Sequence, residues 1–305
     1  MTTGTRLLRA GTRASRLARW QTARVAALLR DRTGVATDDV VVSTEGDRVL
    51  DRPLPEIGGK GVFTEALEDA LRDGAIDYAV HSLKDLPVDP VPGITIGAVL
   101  LRADPRDVLI ARGAVTLATL PRGARVGTSS TRREAQLRAA RPDLAVLPLR
   151  GNVDTRVARA IAGDYDAIVI AAAGVERLGL AASISEALAF DVMLPAPGQG
   201  ALVVECRAGD AATLEILSTI DDALVRATTG AERAFLAGLG GGCAAPIAAL
   251  AETTPGGLRL RGLVATRDGR QVIRVDGTAR VDQREALGAR LAREALDRGA
   301  GAILA

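Results

Sequence analysis

Short apolar runs alternate with amphipathic stretches along this chain, and the alternation predicts an α/β fold. Strands are predicted at residues 5–10, 40–43, 76–80, 94–101, 108–111, 125–126, 144–149, 166–172 and 201–205. Amphipathic helices are predicted at residues 17–32, 62–73, 132–140, 153–162 and 223–236. The chain then closes with a hairpin at residues 258–275 and a helix at residues 282–298. Because this last order differs from the earlier one, it predicts a separate small domain.

A strand, a polar turn and a helix follow one another three times, each time with arginine at the turn or in the early helix. Arg13 precedes Ser15, a predicted helix N-cap whose free backbone N–H groups suit an anion. Arg132 and Arg133 lie in the first turn of the second such helix, and Arg156 lies early in the third. Cations are unfavourable at a helix N-terminus because of its dipole, so the paired arginines indicate a compensating anion.

Residues 79–87 begin apolar, as a buried strand does, and end polar. They contain His81, the only histidine, and Lys84, one of two lysines among 39 basic residues. Pro87 cannot donate to a sheet, so the strand is predicted to stop near Lys84, with Asp85 beside it. Ligands bind at strand ends in open α/β sheets, although a salt-bridged surface turn explains this segment equally well.

The amino-acid composition is that of a globular domain and gives no argument for nucleic-acid or membrane binding. Hydrophobic residues make up 48% and charged residues 25%, a balance typical of globular domains. A net charge of +2 gives no argument for nucleic-acid binding, and no apolar run predicts a membrane span or a signal peptide. Cys206 and Cys243 form no disulfide framework or zinc motif, so we expect no metal and a reducing, cytoplasmic setting.

The basic side chains together predict a ligand with several carboxylates. Lys60 lies among three glycines that allow close backbone approach, and no nucleotide-binding glycine motif is present. Gln199, between two glycines, is predicted to present its amide at an exposed turn. Cys243 follows three glycines without a nearby histidine, and its residue type alone favours a small buried side chain.

A series of motifs resembles the porphobilinogen deaminase family, also called hydroxymethylbilane synthases. They are Thr12-Arg13-Ala14-Ser15 with Trp20-Gln21, Gly58-Gly59-Lys60-Gly61-Val62-Phe63, His81-Ser82-Leu83-Lys84-Asp85-Leu86-Pro87, Asp104-Pro105-Arg106-Asp107, Gly127-Thr128-Ser129-Ser130-Thr131-Arg132-Arg133, Leu149-Arg150-Gly151-Asn152-Val153, Pro197-Gly198-Gln199-Gly200-Ala201 and Gly241-Gly242-Cys243. The resemblance implies two periplasmic-binding-protein-like (type II) lobes with mixed sheets and a small C-terminal α/β domain. We expect lobe 1 at residues 1–100 and 200–220, lobe 2 at 101–199 and the third domain at 221–305.

The resemblance also implies a reaction: four porphobilinogens are joined head to tail on a covalent dipyrromethane cofactor, ammonia leaves, and hydroxymethylbilane is released. Asp85 is the implied catalytic residue, stabilising the positive charge left by ammonia and transferring protons. The implied cofactor-binding residues are Cys243 (as a thioether), Ser82, Lys84, Asp85, Thr128, Ser129, Ser130, Arg132, Arg133 and Gly151. The implied substrate-binding residues are Arg13, Ser15, Lys60, Phe63, Arg150, Arg156, Arg177 and Gln199. A cytoplasmic monomer is expected, without nucleic-acid or membrane partners.

Two other functions remain open from the sequence. The two lobes alone would suit a non-catalytic binder of small anions, although no secretion signal or helix-turn-helix segment supports a receptor or a regulator. A transferase that uses Cys243 as its nucleophile would need a base, and His81 is the one histidine that could serve.

Overall fold

The computed structural model describes residues 7–43, 64–113, 115–242 and 245–305. Its strands are β1 (Leu7–Thr12), β2 (Ala36–Val41), β3 (Tyr78–Ser82), β4 (Ile94–Leu100), β5 (Asp107–Ala111), β6 (Arg125–Gly127), β7 (Ala145–Leu147), β8 (Ala167–Ala171), β9 (Glu186–Ala187), β10 (Leu202–Arg207), β11 (Ile247–Thr254), β12 (Gly257–Ala265) and β13 (Val272–Ala279). Its helices are α1 (Arg16–Thr33), α2 (Glu65–Arg72), α3 (Thr131–Ala140), α4 (Val153–Ala162), α5 (Ala172–Arg177), α6 (Ala211–Ser218), α7 (Ala223–Gly238), α8 (Arg284–Asp297) and α9 (Ala300–Leu304).

The chain divides into two compact units, the first formed by the described residues of Met1–Arg102 and Ala201–Arg226. Its sheet has the order β2-β1-β3-β10-β4. β1 runs parallel to β2 and β3, whereas β10 runs antiparallel to both of its neighbours. Since parallel strands end at the same edge, the residues that follow β1 and β3 lie on one side of this sheet.

The second unit comprises the described residues of Ala103–Gly200 and Ala227–Ala305. One of its sheets has the order β7-β6-β8-β5-β9, with β6 parallel to β7 and β8 and with β5 antiparallel to its neighbours. Both five-stranded sheets therefore insert one antiparallel strand beside a set of three parallel strands. The predicted α/β fold class with two mixed sheets is confirmed.

A third sheet, the antiparallel β11-β12-β13 meander, also belongs to the second unit. Phe235 of α7 and Leu291 of α8 are fully buried in its core with Leu260. On another face, Ala135 of α3 packs with Leu250 of β11 in one apolar cluster. The helix that carries Arg132 and Arg133 is thus fixed against the C-terminal sheet. The three-domain division by residue number remains a prediction.

Several elements differ from the sequence-based prediction. β11 was not predicted, so the expected hairpin is the second half of a three-stranded sheet. α6 was also missed, although Asp210 caps it by accepting a hydrogen bond from the Thr213 N–H at 3.0 Å. β2 begins at Ala36, ahead of the predicted start at residue 40, because its polar first half lies at the sheet edge, where alternation is weak.

Candidate active site

Asp85 lies on a short 3-10 turn, Leu83–Asp85, directly after β3. Leu83 and Leu86 are buried on either side of the exposed Asp85, and the Leu83 N–H donates to the Ala201 carbonyl at 3.0 Å. Lys84 is half-buried on the same turn. Within the described ranges, no ion pair or hydrogen bond engages the Asp85 carboxylate. The apolar anchors therefore present an unengaged carboxylate to solvent at a fixed position.

The ends of β1 and β3 bring further predicted site residues to the same edge. Ser15 caps α1 as predicted, accepting the Ala18 N–H at 3.2 Å, and the half-buried Arg13 lies between β1 and this cap. Gln21, buried on α1, donates to the Ser82 hydroxyl oxygen at 2.9 Å. The first unit thus gathers Arg13, Ser15 and Ser82 beside the Asp85 turn.

His81 is buried within the first sheet. Its Nε2 lies 3.2 Å from Oε2 of Glu205 on β10, within ion-pair range but without hydrogen-bond geometry. Both side chains are almost fully enclosed. This placement favours a structural role for His81 and gives no support to the alternative in which it serves as a base for Cys243.

In the second unit, three predicted hydroxyl side chains hold the loops that follow β6 and β7. Ser129 donates to the Leu149 carbonyl at 2.7 Å and accepts the Leu149 N–H at 3.0 Å. Thr128 accepts the Ser130 N–H at 3.2 Å, and Ser130 caps α3 by accepting the Arg133 N–H. These hydroxyls fix the backbone around the start of α3.

Arg132 and Arg133 share one internal counter-ion, Asp107 at the start of β5. Arg132 Nη1 lies 2.7 Å from Oδ2, while Arg133 Nε and Nη2 lie 3.1 and 2.8 Å from Oδ1. Burial favours a raised pKa for Asp107, but the two guanidinium groups outweigh it and hold that pKa well below its ordinary value. Burial lowers the pKa of Arg132, opposed by Asp107. Asp107 therefore supplies at least part of the compensating negative charge that the paired arginines at the helix start had indicated.

Gln199 differs from its prediction. It is fully buried, and its amide Nε2 donates to Asp107 Oδ1 and to the Pro105 carbonyl, both at 2.8 Å. The prediction of an exposed turn is wrong, because the flanking glycines let the loop fold inward onto a buried carboxylate. Asp107 is the residue that sequence reasoning missed; an acidic residue directly before an apolar strand was the available signal.

Two other predicted site arginines of the second unit donate to backbone carbonyls. Arg156 Nε donates to the Gly151 carbonyl at 2.7 Å, and Gly151 has a φ of 112° that favours glycine. Arg177 Nη2 donates to the Gly200 carbonyl at 2.6 Å. Burial lowers the pKa of Arg177 to about 10, partly opposed by Glu176. Arg150 is half-buried in the loop after β7.

Three predicted site residues, Lys60, Phe63 and Cys243, lie outside the described residues. In the part of the chain that is described, no cluster of three or more His, Cys, Asp or Glu side chains is arranged to hold a metal ion. No helix there has the length and apolar character that a membrane crossing requires.

Two family models match this chain. One describes the dipyrromethane cofactor-binding domain of porphobilinogen deaminase and matches residues 8–215; the other describes its C-terminal domain and matches residues 227–297. The chain belongs to the porphobilinogen deaminase family. Its relatives named porphobilinogen deaminase include one from Roseiflexus sp. (strain RS-1), 51% identical over 296 residues and 97% of each chain. Another, from Bordetella parapertussis, is 50% identical over 295 residues, covering 96% of this chain and 94% of the relative.

Membership of the porphobilinogen deaminase family confirms three predictions: the enzyme class, hydroxymethylbilane synthase; the polymerisation of porphobilinogen; and the dipyrromethane cofactor. The alternative of a non-catalytic anion binder is not supported. Among solved structures, the chain also resembles an ABC-transporter substrate-binding protein from Coxiella burnetii, with a TM-score of 0.44 and 16% identity. That match covers 70% of this chain and 91% of the other.

The side chains of the second unit fit a cofactor that bears carboxylates. Arg132 and Arg133 are only 4% and 6% exposed, yet together with Asp107 they retain one net positive charge. Buried cations with hydrogen-bond donors still available suit the acid arms of a pyrrole ligand.

Proposed function

We propose that this member of the porphobilinogen deaminase family uses Asp85 as its catalytic residue and binds the substrate's carboxylates with cationic side chains. The observation that carries the proposal is the exposed Asp85 carboxylate, fixed between buried Leu83 and Leu86 at the edge where β1 and β3 end. Arg13, Ser15 and Ser82 lie at that edge, and Lys84 lies on the same turn.

The carboxylates of the substrate account for the basic residues proposed at the site. Each porphobilinogen carries an acetate and a propionate, so every addition brings two more carboxylates. Guanidinium groups bind carboxylates two bonds at a time, which orients each ring as well as neutralising it. Arg13, Arg150, Arg156 and Arg177 take this role for incoming substrate. Ser15, Lys60 and Phe63 are the other proposed substrate-binding residues, whereas the buried Gln199 contributes through its bond to Asp107.

Asp85 acts on the pyrrole itself. Its carboxylate accepts hydrogen bonds from pyrrole N–H groups and stabilises the positive charge that develops on porphobilinogen as ammonia leaves. It then takes up the proton released from the ring carbon that has formed the new bond. General acid–base assistance of this kind is worth about 10²–10⁴-fold in rate.

The cofactor residues complete the proposal. When bound, the dipyrromethane supplies the primer to which porphobilinogen is added. Cys243 would hold it as a thioether, and Lys84, Arg132 and Arg133 would bind its carboxylates. The further proposed cofactor-binding groups are the Ser82 hydroxyl and the Asp85 carboxylate in the first unit, and the hydroxyls of residues 128–130 and the Gly151 backbone in the second.

Replacing Asp85 with asparagine tests the catalytic role. Asp85→Asn should lose about 10²–10⁴-fold of turnover and keep the wild-type unfolding temperature, because the carboxylate is exposed. Ammonia release from porphobilinogen is the assay, and Asp89→Asn, an exposed aspartate on the following segment, is the control. Wild-type turnover by Asp85→Asn would remove Asp85 from the mechanism.

The thioether is tested by intact mass under denaturing conditions. The wild-type chain should exceed its sequence mass by one covalent dipyrromethane, and Cys243→Ala should not. An active wild-type protein at its bare sequence mass would exclude covalent attachment through Cys243.

We further propose a cytoplasmic monomer of three domains, at residues 1–100 with 200–220, 101–199 and 221–305, that binds no nucleic acid. Cys206 is a buried free thiol, as suits a reducing compartment, and the net charge is only +2. Light scattering after size exclusion, with and without added DNA, tests the monomer and the absence of DNA binding. Limited proteolysis tests the boundaries near residues 100, 200 and 220.

A further inference from the structure

Asp107 is the most enclosed carboxylate beside the predicted cofactor residues. It is 0% exposed and receives hydrogen bonds from three side chains, Arg132, Arg133 and Gln199. Arg132 Nη1 also donates to the Leu194 carbonyl at 2.6 Å. Asp107 has no part in the proposed reaction. Its role must therefore lie in the side chains that it binds, Arg132, Arg133 and Gln199.

The charges alone require a carboxylate at this place. Arg132 and Arg133 are adjacent in sequence, more than nine-tenths buried, and located in the first turn of α3. Like charges repel each other there, and the helix dipole disfavours both. Asp107 cancels one of the two charges and leaves a net charge of +1.

Asp107 fixes orientation as well as charge. It binds Arg132 through Nη1, and it binds Arg133 through Nε and Nη2. Among the described residues, the Nε and Nη2 groups of Arg132 and Nη1 of Arg133 form no hydrogen bond, and none of them is fully shut off from solvent. Both guanidinium planes are thus set by one internal carboxylate, while part of each donor set stays available.

We infer that Asp107 is a positioning residue, which sets the guanidinium groups of Arg132 and Arg133 for the carboxylates of the bound pyrrole chain. The inference rests on the proposed cofactor-binding role of these two arginines. Gln199 supports the same carboxylate, with its amide bound to Asp107 Oδ1 at 2.8 Å and to the Pro105 carbonyl at 2.8 Å.

Asp107→Asn is the first test, because it keeps the shape and removes the charge. In folded protein, covalent dipyrromethane occupancy, read by intact mass, should fall well below that of wild type. In the fraction that carries cofactor, KM for porphobilinogen should rise roughly tenfold or more, because an arginine that is no longer held in place loses about one charged hydrogen bond to a ligand carboxylate. A purely structural role would lower the folded fraction without changing KM per loaded molecule.

Asp104→Asn is the matched control. Asp104 lies three residues before Asp107 and pairs with Arg106 at 2.6 Å, but both side chains are partly exposed. This variant should keep wild-type occupancy and KM. Folded Asp107→Asn with the same values as Asp104→Asn would overturn the inference.

Two further variants keep the test decisive. If Asp107→Asn fails to fold, Asp107→Glu restores the charge but displaces the carboxylate by one methylene; reduced occupancy and raised KM support positioning, and wild-type values refute it. Arg132→Met and Arg133→Met separate this inference from the proposed function. If the two arginine variants keep wild-type occupancy and KM, the proposed cofactor role of these arginines is wrong. If the arginine variants lose occupancy and gain KM while the Asp107 variants keep wild-type values, the positioning role of Asp107 is wrong.

Discussion

Glu232 offers the sharpest test of how the second unit holds its loops. This α7 side chain is 0% exposed, and its Oε2 accepts the Gly198 N–H while its Oε1 accepts the Ala251 N–H, both at 2.7 Å. In Glu232→Gln, one carboxylate oxygen becomes an amide nitrogen that faces an N–H donor. The loop before β10 or strand β11 then loses its partner.

The cost can be worked from those contacts. A hydrogen bond to a charged group contributes about 1.5–3 kcal/mol, and a buried N–H left unsatisfied costs about 1–3 kcal/mol. We expect Glu232→Gln to lower the free energy of unfolding by about 3 kcal/mol. At roughly 2–4 °C for each kcal/mol, the second unit should unfold about 6–12 °C below wild type. Thermal unfolding followed by circular dichroism measures this shift.

Glu252→Gln is the control, because Glu252 follows Ala251 on β11 and its side chain is 46% exposed. It pairs with Arg261 at 2.7 Å, and an exposed pair of this kind contributes about 0–1 kcal/mol. If Glu232→Gln shifts the transition no more than Glu252→Gln does, the buried carboxylate does not hold these segments together.

Two other predictions follow from backbone geometry and burial. Gly200 has a φ of 89°, and a Cβ there would lie 2.5 Å from the Ala103 carbonyl oxygen. Gly200→Ala should therefore lower the free energy of unfolding by about 1–3 kcal/mol, measured by thermal unfolding. Gly209 has open space around it, so Gly209→Ala should leave that free energy nearly unchanged. Burial raises the pKa of Cys206 to about 11, so the folded state keeps this thiol protonated. In the unfolded chain the thiol ionises near its ordinary pKa of about 8.5. The stability that the buried neutral thiol contributes is therefore lost as the pH rises from about 8.5 to about 11. In a Cys243→Ser background, Cys206 should therefore resist a thiol reagent at mildly alkaline pH and react fully in denaturant; fast reaction in the native protein would contradict its burial.

Predictions that depend only on residues close together in sequence, such as the Ser15 cap and the turn after β3, were confirmed. The Ser15 cap needs only the next three residues, and the turn after β3 is set by the apolar strand and by Pro87 nearby. The family resemblance depended on such short motifs, which is why the enzyme class and the cofactor could be predicted before any contact was known.

Predictions that depend on distant contacts could not be made. Asp107 is 25 residues from Arg132 in sequence, and only the packing of β5 against the start of α3 brings the two together. The same holds for Gln199, which is 92 residues from Asp107. Its flanking glycines indicate a tight turn, but they carry no information about whether that turn faces solvent or the core.

β11 was missed for a related reason. Its first five residues are buried and include three alanines, a residue depleted in strands, so the segment has the composition of a helix or a loop. What makes it a strand is pairing with β12 along its whole length, from Ile247 opposite Val264 to Thr254 opposite Gly257. Tertiary pairing overrides the local preference there.

Four predicted site arginines of the second unit have internal hydrogen-bond partners. Arg132 and Arg133 give part of their donors to Asp107, while Arg156 and Arg177 each give one N–H to a backbone carbonyl. Asp107 cancels one charge of the Arg132–Arg133 pair, whereas the backbone carbonyls leave the charges of Arg156 and Arg177 unchanged; both kinds of partner help to hold the guanidinium groups in place. Guanidinium groups held in this way can orient the carboxylates of each ring, because a guanidinium binds a carboxylate through two parallel hydrogen bonds.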